Sequence, residues 1–512
     1  MTHAPSVSED RPDTTLDATP DTPADPSPET GPDRGTDRAR PSRNQLYKTL
    51  WRWHFYAGLL VTPLLVLLAV TGGIYLFKPA YENWVYKDLR TVHAPHSASA
   101  KPVPLAAQVD AVRKAKPEAT VQSVTPPGDR THSTMVTLAA DGGGPWAPTV
   151  SVYVNPYEGK VLGSVDNATT FMQKVRDLHG NLLSGTVGDR LVELTASWAA
   201  ILTCTGLYLW WRARPRRGRT GRRGLRRWHA TVGAAVSVFL LLLIATGLPW
   251  TGLWGQQLQK VITATKQGAP SAEDYKVSSK IPATTADRLT SNPDTSVPWA
   301  AEKVQVPTSQ ADGEHQGHEG HAGHMAGQGG NGAAPGSLSI EQAVSVAHHE
   351  RVPGTFTVTL PQGPKGVYTI SGKSEADPAK QRTLFLDQYS GKVLASYGWP
   401  QYGLLSKLVE EGIALHQGER FGLPNLLVAL GTCLAVIGMA VSGVVMWWRR
   451  RPTGKGLGAP RRAQDARVTR GVALIMLVLG VAMPLAGISM LAVLTLDWLV
   501  IRRIAPLRRF FG

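Results

Sequence analysis

Four of the fourteen histidines in this 512-residue chain recur at matched positions beside apolar runs. Trp53-His54, with Gly58 and Thr71-Gly72, corresponds to Trp228-His229, with Gly233 and Thr246-Gly247; the His-to-Gly intervals are 4 and 18 residues in both. Leu178-His179, with Gly188, Gly206 and Trp210-Trp211-Arg212, corresponds to Leu415-His416, with Gly422, Gly443 and Trp447-Trp448-Arg449, and 31 residues separate His from the first Trp in both. Ionisable groups at membrane depth are costly, so such positions are candidates for function. Two imidazoles opposed across a helix bundle are what a bis-histidine b-type haem needs, one ring nitrogen of each going to iron and the other held by a partner. Gly58 and Gly233, one turn beyond their histidines, would leave room for a porphyrin. The same four side chains also suit a plain interfacial role, hydrogen-bonded to headgroups or to neighbouring helices. Spacing alone leaves both readings open.

A second group of histidines lies in a Gly-rich tract, His315, His318, His321 and His324. Neutral imidazoles on flexible backbone suit Cu, Zn or Ni, yet such a tract defines no fixed geometry and is equally compatible with an inert linker. His93, His96, His132, His348 and His349 read as solvated surface. Trp250, Trp254, Trp399 and Tyr402 bracket the third and fourth apolar runs on one side; an interfacial aromatic belt explains them, and a seat for a flat ligand is the alternative. Cys204 and Cys433 lie inside apolar runs, which excludes a disulfide framework and predicts two small core residues. No phosphate-cradling glycine loop, nucleotide-binding βαβ unit or nucleophile–base pair is readable. An electron donor would have to come from outside the chain, as a membrane quinol or a cytoplasmic reductase.

The elements that position these residues are mostly spans. Apolar stretches occur at about 55–77, 191–211, 228–250, 426–448 and 472–501, near or above the ~20 residues a bilayer-crossing helix needs. The last holds Pro484 midway and reads as one long kinked or tilted helix. The net charge of +16 is concentrated: Arg212–Arg227 holds nine Arg and no acid, and Arg449–Arg470 holds eight basic residues and one Asp. Each run follows a Trp-Trp pair that ends an apolar stretch, so it marks the cytoplasmic side and touches anionic lipid; it is no nucleic-acid site. The N-terminus is then cytoplasmic and the regions 78–188 and 251–422 face outward, as in a multi-pass protein of a bacterial-type inner membrane.

Within those outer regions, helices are expected at 105–116 and 340–350, and strands at 149–165, 355–360, 366–371 and 383–396. The hairpins repeat at an offset of 232, Val152-Tyr-Val-Asn-Pro-Tyr-Glu-Gly-Lys-Val-Leu against Leu384-Phe-Leu-Asp-Gln-Tyr-Ser-Gly-Lys-Val-Leu, with Gly159 and Gly391 where the turn needs positive φ. Together with the matched histidines this is a tandem duplication of span, outer domain and span, related by a pseudo-twofold axis along the membrane normal. The fold class is a polytopic α-helical membrane protein, a four-helix core bundle plus a C-terminal helix with two small α+β outer domains. Its order is a disordered tail (1–43), first span (44–78), first outer domain (79–170), outer His helix and second span (171–212), Arg-rich loop (213–227) and third span (228–254). A His/Gly-rich insert (255–337), second outer domain (338–400), outer His helix and fourth span (401–448), basic loop (449–470) and C-terminal span and tail (471–512) complete it. Thirty-one residues of unbroken helix would carry His179 about 46 Å from Trp210, so breaks are expected at 180–188 and 417–424, folding the His-bearing helices back to the bundle.

Trp53-His54 with Thr71-Gly72, Leu178-His179-Gly-Asn-Leu-Leu-Ser-Gly with the Thr205-Gly206-Leu-Tyr-Leu-Trp-Trp ending, and the Gly-Lys-Val-Leu hairpins resemble the PepSY-associated transmembrane family, also called iron-regulated membrane proteins, over residues 44–505. That resemblance implies PepSY-like outer domains. Some members are inner-membrane ferrisiderophore reductases carrying b haem on histidines, which maps ligand roles for two haems onto His54, His229, His179 and His416. The His-rich insert departs from the family pattern and raises copper beside iron as substrate. Three functions therefore stand: a haem-bearing carrier reducing a ferric chelate or cupric ion outside, a regulatory or binding module without redox activity, and a metal-handling protein centred on the tract.

Overall fold

Residues 43–97, 100–140, 148–212, 224–268, 338–363, 365–372, 374, 376–451 and 466–507 are described by a computed structural model. The acidic tail, the middle of both basic loops and the tract His315–His324 lie outside the described residues. In the first half, α1 (Arg43–Tyr75) is followed by α2 (Lys78–Val85), α3 (Lys87–Arg90), α4 (Leu105–Ala115), strands β1 (Ala119–Thr125), β2 (Thr134–Ala140), β3 (Thr149–Val154) and β4 (Val161–Asp166), then α5 (Phe171–Asn181) and α6 (Gly185–Arg212). The second half repeats the order with α7 (Gly224–Gly247), α8 (Gly252–Ala264), α9 (Ile340–His349), β5 (Phe356–Thr359), β6 (Val367–Gly372), β7 (Arg382–Asp387), β8 (Val393–Gly398), α10 (Leu404–His416) and α11 (Leu423–Arg450). A pair of helices, α12 (Ala466–Ala482) and α13 (Pro484–Leu496), follows.

Among the described residues, five helices are long and apolar enough to cross a membrane: Gln45–Tyr75, Gly185–Arg212, Gly224–Trp250, Leu423–Arg450 and Pro484–Ile501. α1 packs on α6 and α11, and α7 packs on the same two helices. Because α1 and α7 both lead into strands and α6 and α11 both leave them, the sheet lies at one end of these helices and the basic stretches at the other.

The expected breaks are present. α5 stops where Leu182 and Leu183 take φ of 53° and 55°, and α10 is separated from α11 by a turn with Gly418 and Gly422 at 80° and 61°. The fifth apolar stretch departs from a single helix. It is two helices with a corner at Met483 (φ −134°, ψ 84°), because Pro484 drives the preceding residue out of the helical region and offers no N–H. The corner is tight, since a Cβ added to Gly487 would stand 2.7 Å from Gly480 Cα. Ala486 and Met490 pack with Ile201, Trp53 and Trp198, and Trp198 Nε1 donates to Ser489 Oγ at 3.0 Å, so this pair lies against the first half.

The strands also differ from two separate domains. They form one eight-stranded sheet in the order β4-β3-β2-β1-β5-β6-β7-β8, all antiparallel, the two halves joining where β1 pairs β5 through Ser123↔Thr359 and Val124↔Val358. Thr125 and Thr357, 232 residues apart, share a hydroxyl hydrogen bond of 2.8 Å at this seam. That separation is the hairpin offset, so equivalent residues meet and a local twofold axis passes between them. The bulges agree with it: register shifts fall at Tyr153/Val154 and at Phe385/Leu386, and Gly159 and Gly391 have φ of 65° and 70°. β1 and β2 were not foreseen, because the loop between them carries Pro126-Pro127-Gly128 and no two-residue hairpin signal.

One face of this sheet packs Val112, Val124, Val136, Ile370, Leu384 and Leu386 into a core closed by α4 and α9. Ser339 and Gln342 cap α9 reciprocally. The other face carries Ser151, Thr137, Ser123, Thr359 and Thr369 in register across five adjacent strands, all buried. Arg420, in the turn after α10, reaches the sheet-side loop by donating to Ala376 O at 3.2 Å and pairing with Asp377.

Candidate cofactor site: two histidine pairs

Each matched histidine rests on a hydroxyl–glycine pair of a neighbouring helix. His54 on α1 places Nδ1 3.0 Å from Thr205 Oγ1 of α6, and His229 on α7 places Nδ1 2.8 Å from Ser442 Oγ of α11. His179 on α5 reaches Thr71 Oγ1 of α1 at 3.0 Å, and His416 on α10 reaches Thr246 Oγ1 of α7 at 3.2 Å. The residue after each hydroxyl is glycine, and the imidazole lies over it. A Cβ added to Gly72, Gly206 or Gly247 would come within 3.1, 3.1 or 3.0 Å of the Cε1 of His179, His54 or His416, and one added to Gly443 would stand 3.8 Å from His229 Cε1. Each seat is built within a single half of the chain, two seats in the first half and two in the second.

The hydrogen-bond geometry favours one ring tautomer. Thr71, Thr205, Thr246 and Ser442 donate their single hydroxyl protons back to carbonyls of their own helices, Leu67, Ile201, Leu242 and Met439, at 2.8, 2.8, 2.8 and 2.9 Å. Toward the imidazole each oxygen then only accepts, so Nδ1 carries the proton and Nε2 presents a bare lone pair. For His416 a carbonyl adds the same constraint, since Nδ1 also lies 3.0 Å from Leu243 O. A neutral imidazole with one nitrogen held and the other free is the form that ligates a metal.

The halves meet at the pairs. The rings of His179 and His416 are 6.3 Å apart between centroids with planes at 66°. Two metal–nitrogen bonds of about 2 Å, placed end to end between two half-rings, span about 6 Å, so the centroid separation is of the size that one shared metal requires. His54 and His229 stand at the equivalent positions of the two halves, on α1 and α7. His54 and Thr71 lie 17 residues apart on α1, about 25 Å along its axis, which puts the two pairs near opposite faces of a hydrocarbon layer about 30 Å thick. Among the described residues no three His, Cys, Asp or Glu side chains gather into a metal-binding group. A pair of imidazoles with no third ligand, as at His179 and His416, could hold a group that brings its own equatorial ligands.

Other expectations fare differently. A Cβ at Gly58 would meet only Leu202 at 3.8 Å and one at Gly233 would meet Met439 Sδ at 3.0 Å, while the glycines that lie against the rings are Gly72, Gly206, Gly247 and Gly443. Trp399 and Tyr402 are brought together with centroids 6.5 Å apart, Tyr402 being buried, whereas Trp254 donates to Ala482 O at 3.3 Å and Trp250 is exposed. His93, His96, His132, His348 and His349 are exposed, as expected. Cys204, expected in the core, is exposed, because α6 turns Ala199, Ala200 and Ile201 inward instead, while Cys433 is half-buried. The hydroxyls were missed as partners although their signal was present: a Thr-Gly or Ser-Gly pair follows His54 and His229 by 17 residues and His179 and His416 by 26.

This is a multi-pass membrane protein, on its five spanning-length helices. No curated protein matches the chain. Residues 51–450, most of its length, match the family model described as the PepSY-associated TM region, and the chain belongs to that family.

Proposed function

We propose that this protein is a transmembrane electron carrier that holds two b-type haems in a four-helix core, one between His54 and His229 and one between His179 and His416. It delivers single electrons to a ferric chelate or a cupric ion on the side of the sheet. The observation that carries the reading is the fourfold recurrence of one seat, in which a hydroxyl meets Nδ1 and leaves Nε2 available, combined with the meeting of the His179 and His416 rings across the halves. When bound, the haem supplies a one-electron Fe(III)/Fe(II) couple. The chain's own residues orient the rings and hold the half-buried imidazoles among apolar helices.

Direction follows from charge. The basic runs at Arg212–Arg227 and Arg449–Arg470 favour the cytoplasmic side of a bacterial-type inner membrane, which puts the sheet, with its PepSY-like halves, outside. Electrons enter from a donor outside the chain, a quinol or a cytoplasmic reductase, at the His54–His229 end. Each acceptor ion takes one electron at the other end. Trp399 with Tyr402, and Trp254, remain the candidate seats for a chelate, and the tract His315–His324 for cupric ion.

The test is spectroscopic and kinetic. Purified full-length protein should show b-type haem absorbance, two haems per chain, and after reduction with dithionite should be reoxidised by ferric chelates or Cu²⁺ in stopped flow. Colourless protein overturns the reading, and red protein that neither acceptor oxidises overturns the substrate.

A further inference from the structure

The four hydroxyls do more than fill space beside the rings. Each is held by its own backbone: Thr71, Thr205 and Thr246 lie within reach of two carbonyls of the preceding turn, Leu67 and Leu68, Ile201 and Leu202, and Leu242 and Leu243, and Ser442 bonds to Met439. A hydroxyl that donates along the helix is polarised and becomes a better acceptor for the Nδ1 proton. An imidazole that gives this hydrogen bond has more electron density on Nε2, and such partners both aim the ring and raise ligand basicity. A more basic ligand favours ferric over ferrous iron and so lowers the potential.

Resting on the haem reading above, we infer that Thr71, Thr205, Thr246 and Ser442 are positioning residues that set the tautomer of the four histidines and hold down the midpoint potentials of the two haems, Thr71 and Thr246 acting on the sheet-side haem and Thr205 and Ser442 on the other. The two sites are not equivalent. The sheet-side pair has two threonines over close glycines, whereas His229 rests on a serine, with one methyl fewer to fix its rotamer. It also has the wider glycine contact, 3.8 Å against 3.0–3.1 Å. His229 is the least constrained ligand of the four.

The experiment is a potentiometric titration of the haem band, with electron paramagnetic resonance of the ferric state, on purified full-length wild type and on Thr71→Val, Thr246→Val, Thr205→Val and Ser442→Ala. Valine keeps the branched shape of threonine and removes only the hydroxyl. Each variant should retain haem and raise one of the two midpoints by about 59 mV, corresponding to a tenfold loss of ferric preference for a one-electron couple. Thr71→Val and Thr246→Val should move one haem, Thr205→Val and Ser442→Ala the other, and Thr71→Ser, Thr246→Ser, Thr205→Ser and Ser442→Thr should return the wild-type values. Unchanged midpoints in haem-bearing variants overturn the inference and leave the haem reading standing. Should a hydroxyl-deleting variant lose its haem, the hydroxyl-retaining one decides: wild-type spectrum and midpoint support the role, and loss there too overturns it. Wild-type protein without haem overturns both.

Discussion

His54 and His229 ride on the spanning helices themselves, whereas His179 and His416 sit on the short helices α5 and α10, folded back by the turns after them. Both pairs nevertheless reach the same chemical seat. For the first pair the helix of spanning length also carries the imidazole, and the partner hydroxyl comes from the returning helix of the same half. For the second pair the helix of spanning length carries the hydroxyl and a separate helix brings the imidazole. The seat is therefore a property of the hydroxyl–glycine pair, and the backbone that delivers the imidazole is free to differ. The pairs differ in what fixes them: turns with positive φ for one, helix packing alone for the other.

Removing a ligand tests that comparison most severely. His54→Ala and His229→Ala should each abolish the same half of the haem absorbance, and His179→Ala and His416→Ala the other half, read as pyridine haemochrome content per purified chain. Full haem in all four variants would break the pairing outright. The sides of the two pairs give a second, all-or-none readout. In a chain with Cys204 and Cys433 replaced by Ala, an impermeant maleimide added to intact cells should label Lys380→Cys at the sheet end and leave Arg451→Cys untouched until the membrane is opened. The reverse pattern would exchange the donor and acceptor ends.

A smaller effect grades the four seats. Gly72→Ala, Gly206→Ala and Gly247→Ala push a methyl to 3.0–3.1 Å from an imidazole carbon and should weaken haem retention about tenfold in a transfer assay to apomyoglobin, while Gly443→Ala, at 3.8 Å, should change it least. Equal losses at all four would show that glycine serves helix packing there and not the ring. The smallest effect lies at the sheet seam. Thr125→Val deletes the hydroxyl bond to Thr357 and should cost about 1 kcal/mol in chemical denaturation, with both haem spectra unchanged. A shift in the sheet-side spectrum alone would mean that the joined sheet helps align His179 with His416.

Much of this architecture is legible in the chain itself. Apolar length and charge are local properties, so the first four spans and their basic ends can be read directly, and the duplication shows because repeated spacing survives where identity does not. Matched intervals are also why His54, His229, His179 and His416 stand out from the other histidines. The expected breaks beside Gly188 and Gly422 followed from helix rise, an equally local quantity.

What the tertiary structure decided are contacts between residues far apart in sequence. The four His–hydroxyl bonds join positions 151, 108, 213 and 170 residues apart, and no local pattern encodes which helix faces which. The joining of two half-sheets through β1 and β5 is of the same kind. An edge strand exposes N–H and C=O groups to any partner, and only the placement of the two halves on one bundle brings these edges together. The outward turn of Cys204 likewise depends on which helix face finds a neighbour. Amino-acid type and spacing thus determined the spans, the repeat and the candidate ligands. Packing between the two halves brought the His179 and His416 rings together, and neighbouring helices set a hydroxyl against the Nδ1 of each of the four imidazoles.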